Sequence, residues 1–217
     1  MLDLLIRDGL IVTQNSKREI KQANIGIKDN KIVYVGNKAI SSKKVIEAKE
    51  YIILPAFLNA HIHFGEYFLR GYKKNLSTEE YILLGEKFHT KFKSIIDEIR
   101  SSSINNVILE SIKNGTLTVF GVRGWPNVAS FPVNAFLGYP MMNSKKLMEY
   151  KLNFEQKFNS LEKKKNVQYF IGLRSVKWIE KGTLIEISNF LKNNKRIKLS
   201  LHICETAEEV KYIEKKY

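Results

Sequence analysis

Ile52-Ile53-Leu54-Pro55-Ala56-Phe57-Leu58-Asn59-Ala60-His61-Ile62-His63 is the stretch on which the reading of this 217-residue chain turns. Before Pro55 the chain consists of short β-rich runs broken by turns. After it, apolar strands alternate with amphipathic helices, the pattern of a parallel sheet with crossover helices. Ala56 to His61 reads as an apolar strand that closes on histidines. Residues two apart on a strand project to the same side, so His61 and His63 can offer two imidazoles to one ion near the strand's C-terminal end. The His-x-His pair alone is a weak metal signal and gains weight only from a further donor.

Upstream, the β-rich runs are Leu2 to Ile6, Leu10 to Thr13, Ile25 to Lys28, Lys31 to Gly36, Val45 to Glu47 and Tyr51 to Leu54. Asp29-Asn30 marks a tight hairpin, because both residue types tolerate a left-handed backbone. Residues 1–54 are expected to form a small β domain.

Downstream, residues 55–217 show five candidate strands: Ala56 to His61, Thr116 to Gly121, Pro132 to Gly138, Val167 to Leu173 and Ile197 to His202. Helices are expected from Ser77 to Asn114 with a break near Asp97 to Ser103, from Ser144 to Lys163, from Thr183 to Asn193, and from Thr206 onward. Ser77-Thr78-Glu79-Glu80 supplies an N-cap and early acids, while Asn114-Gly115 and Asn193-Asn194 supply stops. A closed barrel of this type has eight βα units, so about five make it incomplete. An open doubly wound sheet is the other arrangement of five parallel strands, but no Gly-rich phosphate loop follows any strand.

The second chemical motif is Leu199-Ser200-Leu201-His202-Ile203-Cys204-Glu205-Thr206, again a strand end running into a helix. His202 can supply a third nitrogen ligand, and Glu205, three residues on, a nearby proton carrier. The bland alternative is a satisfied histidine beside a glutamate that favours a helix N-terminus.

Composition bounds the partners. Hydrophobic residues make up 44% of the chain, enough for a core, and 36 Lys and Arg against 22 Asp and Glu give a net charge of +14. Clustered, that charge would suit nucleic acid. Its densest runs, Lys43-Lys44, Lys73-Lys74, Lys163-Lys164-Lys165 and Lys192 to Lys198, instead fall in turns or at element ends and read as solvated surface. Nucleic acid is therefore not the expected partner. Cys204 is the single cysteine, so no internal disulfide is possible and a reducing, cytoplasmic setting is expected. The N-terminal stretch is unlike a signal peptide and no apolar run approaches about 18 residues, so neither secretion nor a membrane is expected.

Six stretches resemble the cytosine-deaminase-like branch of the amidohydrolase superfamily, which includes adenosylhomocysteine and methylthioadenosine deaminases and triazine hydrolases. They are LLIRDGLIVT from Leu4, IGIKDNKIVYVG from Ile25, IILPAFLNAHIHF from Ile52, LRGY from Leu69, ESIKNGTLTVFG from Glu110 and LSLHICETAEEV from Leu199. They run in order over essentially the whole chain, and the 139 residues between His63 and His202 leave room for about four βα units. The resemblance implies the N-terminal part of a distorted (β/α)8 barrel beside a small β-sandwich. It implies a divalent metal, zinc or else iron, bound by His61, His63 and His202, with further ligands from a strand-six histidine and a strand-eight aspartate. It also implies that Glu205 shuttles protons and that the reaction hydrolyses a C–N bond of an amino-substituted ring or cyclic amidine.

The chain departs from that pattern in instructive places. The strand-six histidine and strand-eight aspartate are absent, and His89, within the helical region, reads as an ordinary helix residue. The segment after strand four is Gly172-Leu173-Arg174-Ser175-Val176-Lys177, without the Pro-His that many relatives use to touch substrate. Arg123 and Arg174 fall just beyond strand ends that face the active site of a barrel, and arginine grips carboxylate or phosphate bidentately, so an anionic group on a small-molecule substrate is one reading, and pairing of either arginine with a neighbouring acid is the other. Glu66, three beyond His63, is a further candidate lining residue.

An unclosed five-strand sheet leaves two edges and an apolar inner face without cover. The chain is then a fragment of a longer protein, a partner of a separate C-terminal chain, or a self-associating unit. The competing function is that of a non-catalytic binding or scaffold protein derived from such an enzyme, which absence of metal would favour.

Overall fold

The computed structural model describes residues 1–72, 74–122, 128, 130–141, 166–173 and 175–216. It divides into two compact units, Met1–Ala56 and Phe57–Tyr217. The expected helix over 144–163 lies outside the described residues.

The first unit is one mixed five-stranded sheet of β1 (Leu2–Val12), β2 (Ile20–Lys28), β3 (Lys31–Gly36), β4 (Ser42–Glu47) and β5 (Ile52–Ile53). Its order is β3-β2-β1-β4, with β5 also paired to β1. Asp29 and Asn30 both take positive φ, 50° and 58°, in a two-residue turn that pairs Lys28 with Lys31, as their composition required. Two runs expected as separate strands are one: Asp8-Gly9 makes a bulge within β1 rather than a turn, and the N–H of Asp8 donates to Asn24 Oδ1 at 2.8 Å. Ile11, Ala23 and Ile25 form this unit's core, with Ile6, Ile27 and Ile53 against them. Among the described residues the unit has a single sheet, and no second layer of a sandwich is seen.

The second unit is built on five parallel strands, β6 (Phe57–Ile62), β7 (Thr116–Gly121), β8 (Asn134–Met141), β9 (Val167–Leu173) and β10 (Leu199–Leu201). They lie side by side in chain order, β6-β7-β8-β9-β10. That order decides between the two architectures open to five parallel strands. A doubly wound sheet reverses direction at a switch point, whereas a barrel adds each strand to the outside of the last. The sheet is therefore barrel-like and incomplete.

Two helices lie between β6 and β7, α1 (Thr78–Lys91) and α2 (Ile96–Lys113). Ser77 caps α1 through the amide of Glu80, whose side chain returns to the Ser77 amide, a complete capping box. The break between the helices falls at Phe92 to Ile95, earlier than expected. Asp97 and Glu98 occupy the first turn of α2, where acids favour a helix start, so these residues mark an opening and not a stop. Gly115 takes φ of 76° past the end of α2, and its carbonyl accepts from the amide of Phe57 at 2.8 Å, tying the helix end to β6.

Ile104 and Ile108 of α2 bury against Val119, Ala135 and Leu137 on one face of the sheet, joined by Phe64, Val128 and Val133. A second cluster joins Ile171 and Leu173 of β9 to Ile179, to Ile197 and to Ile187 of α3 (Lys181–Asn193). The carbonyl of Val122 passes close over β8 and β9: a Cβ on Gly138 would stand 2.2 Å from its oxygen, and one on Gly172 2.5 Å. Helix α4 (Ala207–Lys216) closes the described chain. No described helix is long and apolar enough to cross a membrane.

Candidate metal centre

Parallel strands bring all their C-terminal ends to one side of the sheet, and the first and fifth of them carry the histidines. His61 lies in β6 and His63 just beyond it. His202 follows β10 and extends its ladder, its amide donating to the Leu173 carbonyl at 3.2 Å. The sheet thus brings together three rings that are distant in sequence. The Nε2 atoms of His61 and His63 are 3.0 Å apart, those of His63 and His202 3.2 Å, and those of His202 and His61 3.2 Å.

This triangle cannot be satisfied by hydrogen bonds. Each Nε2 carries either a proton or a lone pair. Among three mutually close nitrogens at least two are therefore of the same kind, and that pair repels. A cation accepting all three lone pairs removes the conflict. The spacing also suits an ion: tetrahedral zinc with Zn–N of about 2.0–2.1 Å separates its ligand nitrogens by about 3.3 Å. These are the only three described His, Cys, Asp or Glu residues grouped closely enough to hold a metal.

The electrostatics favour ligation. Burial, and then the neighbouring His202, lower the pKa of His61 from the ordinary 6.5, while Glu205 works against them. A neutral ring keeps its lone pair for a metal. Glu205 is thus close enough for its charge to bear on His61, and it is exposed.

Behind His63, Glu66 approaches Nδ1 at 3.7 Å through Oε1, and its Oε2 accepts from the hydroxyl of Tyr81. The carboxylate of Glu66, a candidate lining residue, thus lies between a histidine of the cluster and a tyrosine of α1. His202 differs: its Nδ1 is buried and has no hydrogen-bond partner among the described residues. Arg123 and Arg174, candidates to meet an anionic substrate, lie outside the described residues. His89 sits in α1, where Arg100 Nη2 lies 2.8 Å from its Nδ1, away from the cluster.

Sequence reasoning passed over Tyr81, Ser175 and Glu209. Ser175 caps a short 3-10 helix, Val176–Trp178, through the amide of Lys177. Its hydroxyl donates to Glu209, a buried acid of α4. In sequence Glu209 is one more acid in a helix's first turn, and Tyr81 one more aromatic on an amphipathic helix, so nothing local marks either.

Comparison with known proteins agrees with this geometry. No protein-family model matches the chain. A 5-methylthioadenosine/S-adenosylhomocysteine deaminase of Pyrococcus furiosus is 24% identical over 243 aligned residues, which cover 99% of this chain and 53% of that protein. A 5'-deoxyadenosine deaminase of Methanobrevibacter smithii is 28% identical over 220, covering 95% of this chain and 49% of its own length. Among solved structures, an adenosine deaminase from Xanthomonas campestris with bound zinc shares the fold with a TM-score of 0.83 at 17% identity, across all of this chain and 52% of that one. The chain spans about half the length of the curated relatives it matches.

Proposed function

Proceeding from the chain's relationship to the deaminases of the amidohydrolase superfamily, we propose that it forms the N-terminal half of a metal-dependent deaminase acting on an adenosine-type nucleoside. One observation carries the reading: three imidazole nitrogens drawn from two strand ends meet in a triangle whose conflict a shared cation relieves. His61, His63 and His202 would hold the ion, with zinc the first choice and iron the second. Residues 55–217 are then the first part of a (β/α)8 barrel. Residues 1–54 are one layer of a small sandwich, for which the exposed Ile32, Val35 and Ile46, in register with Ile27, Ile25 and Ile6, offer an apolar face. The remaining ligands that the resemblance implies come from polypeptide outside this chain.

A divalent ion in such a site supplies Lewis acidity, which makes a hydroxide nucleophile available near neutral pH. Glu205 takes the proton that water gives up and passes it to the ring nitrogen beside the carbon under attack. It then carries the proton of the newly added hydroxyl to the amino group, which leaves as ammonia as the C–N bond breaks and the carbonyl forms. Glu66 orients His63 rather than meeting substrate directly. Arg123 and Arg174 are assigned to an anionic group, such as the carboxylate in the homocysteine portion of S-adenosylhomocysteine.

The test is metal content together with ammonia release from 5'-deoxyadenosine, 5'-methylthioadenosine and S-adenosylhomocysteine by the complete protein. Stoichiometric zinc or iron and turnover of at least one nucleoside are expected. A purified protein that holds no divalent metal overturns the reading and favours a binding or scaffold role.

A further inference from the structure

Behind Glu205 lies a second carboxylate, to which the chemistry above gives no task. Glu209 is only 5% exposed, and among the described residues no cation pairs with it. A buried carboxylate without a counter-charge has to be held by hydrogen-bond donors. Two donors reach it from different loops. The hydroxyl of Ser175, just after β9, donates to Oε1, and the backbone N–H of Glu205, just after β10, donates to Oε2 at 2.8 Å. The amide of Glu209 itself donates to Thr206 Oγ1 at 3.0 Å, and Ser175 Oγ accepts from the amide of Lys177 at 3.1 Å, so both loops are anchored in turn.

The backbone supplies an independent observation. Cys204 has φ of 59°, a left-handed conformation that residues with a Cβ rarely adopt and that persists only where the surroundings hold it. The peptide leaving Cys204 ends in the N–H that Glu209 grips. That amide belongs to Glu205, whose charge acts on His61.

We propose that Glu209 is a positioning residue: by gripping the Glu205 amide and the Ser175 hydroxyl at once, it holds the left-handed turn at Cys204 and aims the Glu205 carboxylate at His61, His63 and His202. The task requires a carboxylate. Its two oxygens accept from two donors, whereas a glutamine offers one accepting oxygen and turns N–H groups towards the other donor. The inference rests on Glu205 being the proton carrier of the proposed deaminase.

The test compares Glu209→Gln, Glu205→Gln and the double variant of the complete protein, measuring bound zinc, kcat and KM for the best nucleoside, and hydrogen exchange at the Glu205 amide. In Glu209→Gln we expect zinc and KM to stay at parent values, kcat to fall about 100-fold, as a misplacement near 1 Å can cause, and the Glu205 amide to exchange faster. The double variant is expected to be no slower than Glu205→Gln alone. Cys204→Gly, which relieves the left-handed strain, is expected to restore part of the turnover of Glu209→Gln. Parent-like kcat in Glu209→Gln, losses that multiply in the double variant, or loss of zinc together with activity would each overturn the proposal while leaving the deaminase reading intact. A parent protein with neither zinc nor ammonia release overturns that reading, and this inference with it.

Discussion

The ends of β6 and β10 deliver imidazoles to the same point but are backed in different ways. At the β6 end, His63 has a carboxylate behind it, and that carboxylate accepts from Tyr81, a local arrangement spanning residues 63 to 81. At the β10 end the support goes to Glu205 instead, through Glu209 and Ser175, while Nδ1 of His202 is buried without a partner among the described residues. A ligating histidine normally donates its second N–H to an acceptor that fixes its tautomer and raises its basicity. On the proposed reading, one strand end backs a metal ligand and the other aims an acid.

The strongest test of this contrast is His202→Ala. Removing one of three donors is expected to weaken zinc binding well beyond the roughly 10- to 100-fold that loss of an outer partner costs, as measured by competition with a chelator. Zinc held equally by parent and variant would break the comparison at its root. Glu66→Gln comes next: it leaves all three rings in place but removes the negative charge 3.7 Å from His63 Nδ1, and zinc affinity is expected to drop about 10- to 100-fold.

Ser175→Ala should act on the other strand end alone. It deprives a buried carboxylate oxygen of its donor, so denaturant unfolding is expected to show a loss of about 1–3 kcal/mol with zinc affinity unmoved. A change in zinc affinity there would mean that the two ends are not separate.

The smallest effect concerns protons. Burial first and His202 second lower the His61 pKa from 6.5, so in the metal-free protein its NMR titration should fall below that value. The unfolded chain then binds this proton more readily than the folded one. Stability is therefore full above pH 6.5 and declines as pH falls towards the folded pKa. Replacing His202 by alanine should move the His61 titration upward, since a repelling neighbour is gone.

Much of this architecture is legible in the residues. Thr116–Gly121, Val167–Leu173 and Lys31–Gly36 match their expected limits, because runs of β-branched and aromatic residues between turn formers admit few other readings. The Ser77 cap, the Gly115 stop and the Asp29-Asn30 turn follow from local chemistry and hold. Local signals misled where one residue type serves two purposes. Asp8-Gly9 favours a left-handed backbone, which suits a turn and a bulge equally, and pairing of β1 with β2 on both sides of it decided for the bulge. Asp97 to Ser103 reads as a break, whereas Asp97 and Glu98 stand in the first turn of α2.

By itself, the sequence carried the change of character after Pro55 and singled out the three histidines and Glu205 as candidates, because these depend on residue type and short-range periodicity. Only the tertiary structure decided that the five strands lie in chain order, that the Nε2 atoms of His61, His63 and His202 meet within 3.2 Å, and that Glu66 stands behind His63 and Glu209 behind Glu205. The reason is physical. A single strand fixes the direction in which a side chain leaves it, but the distance between two strand ends is set by the register and packing of everything between them, and no short stretch of sequence carries that information.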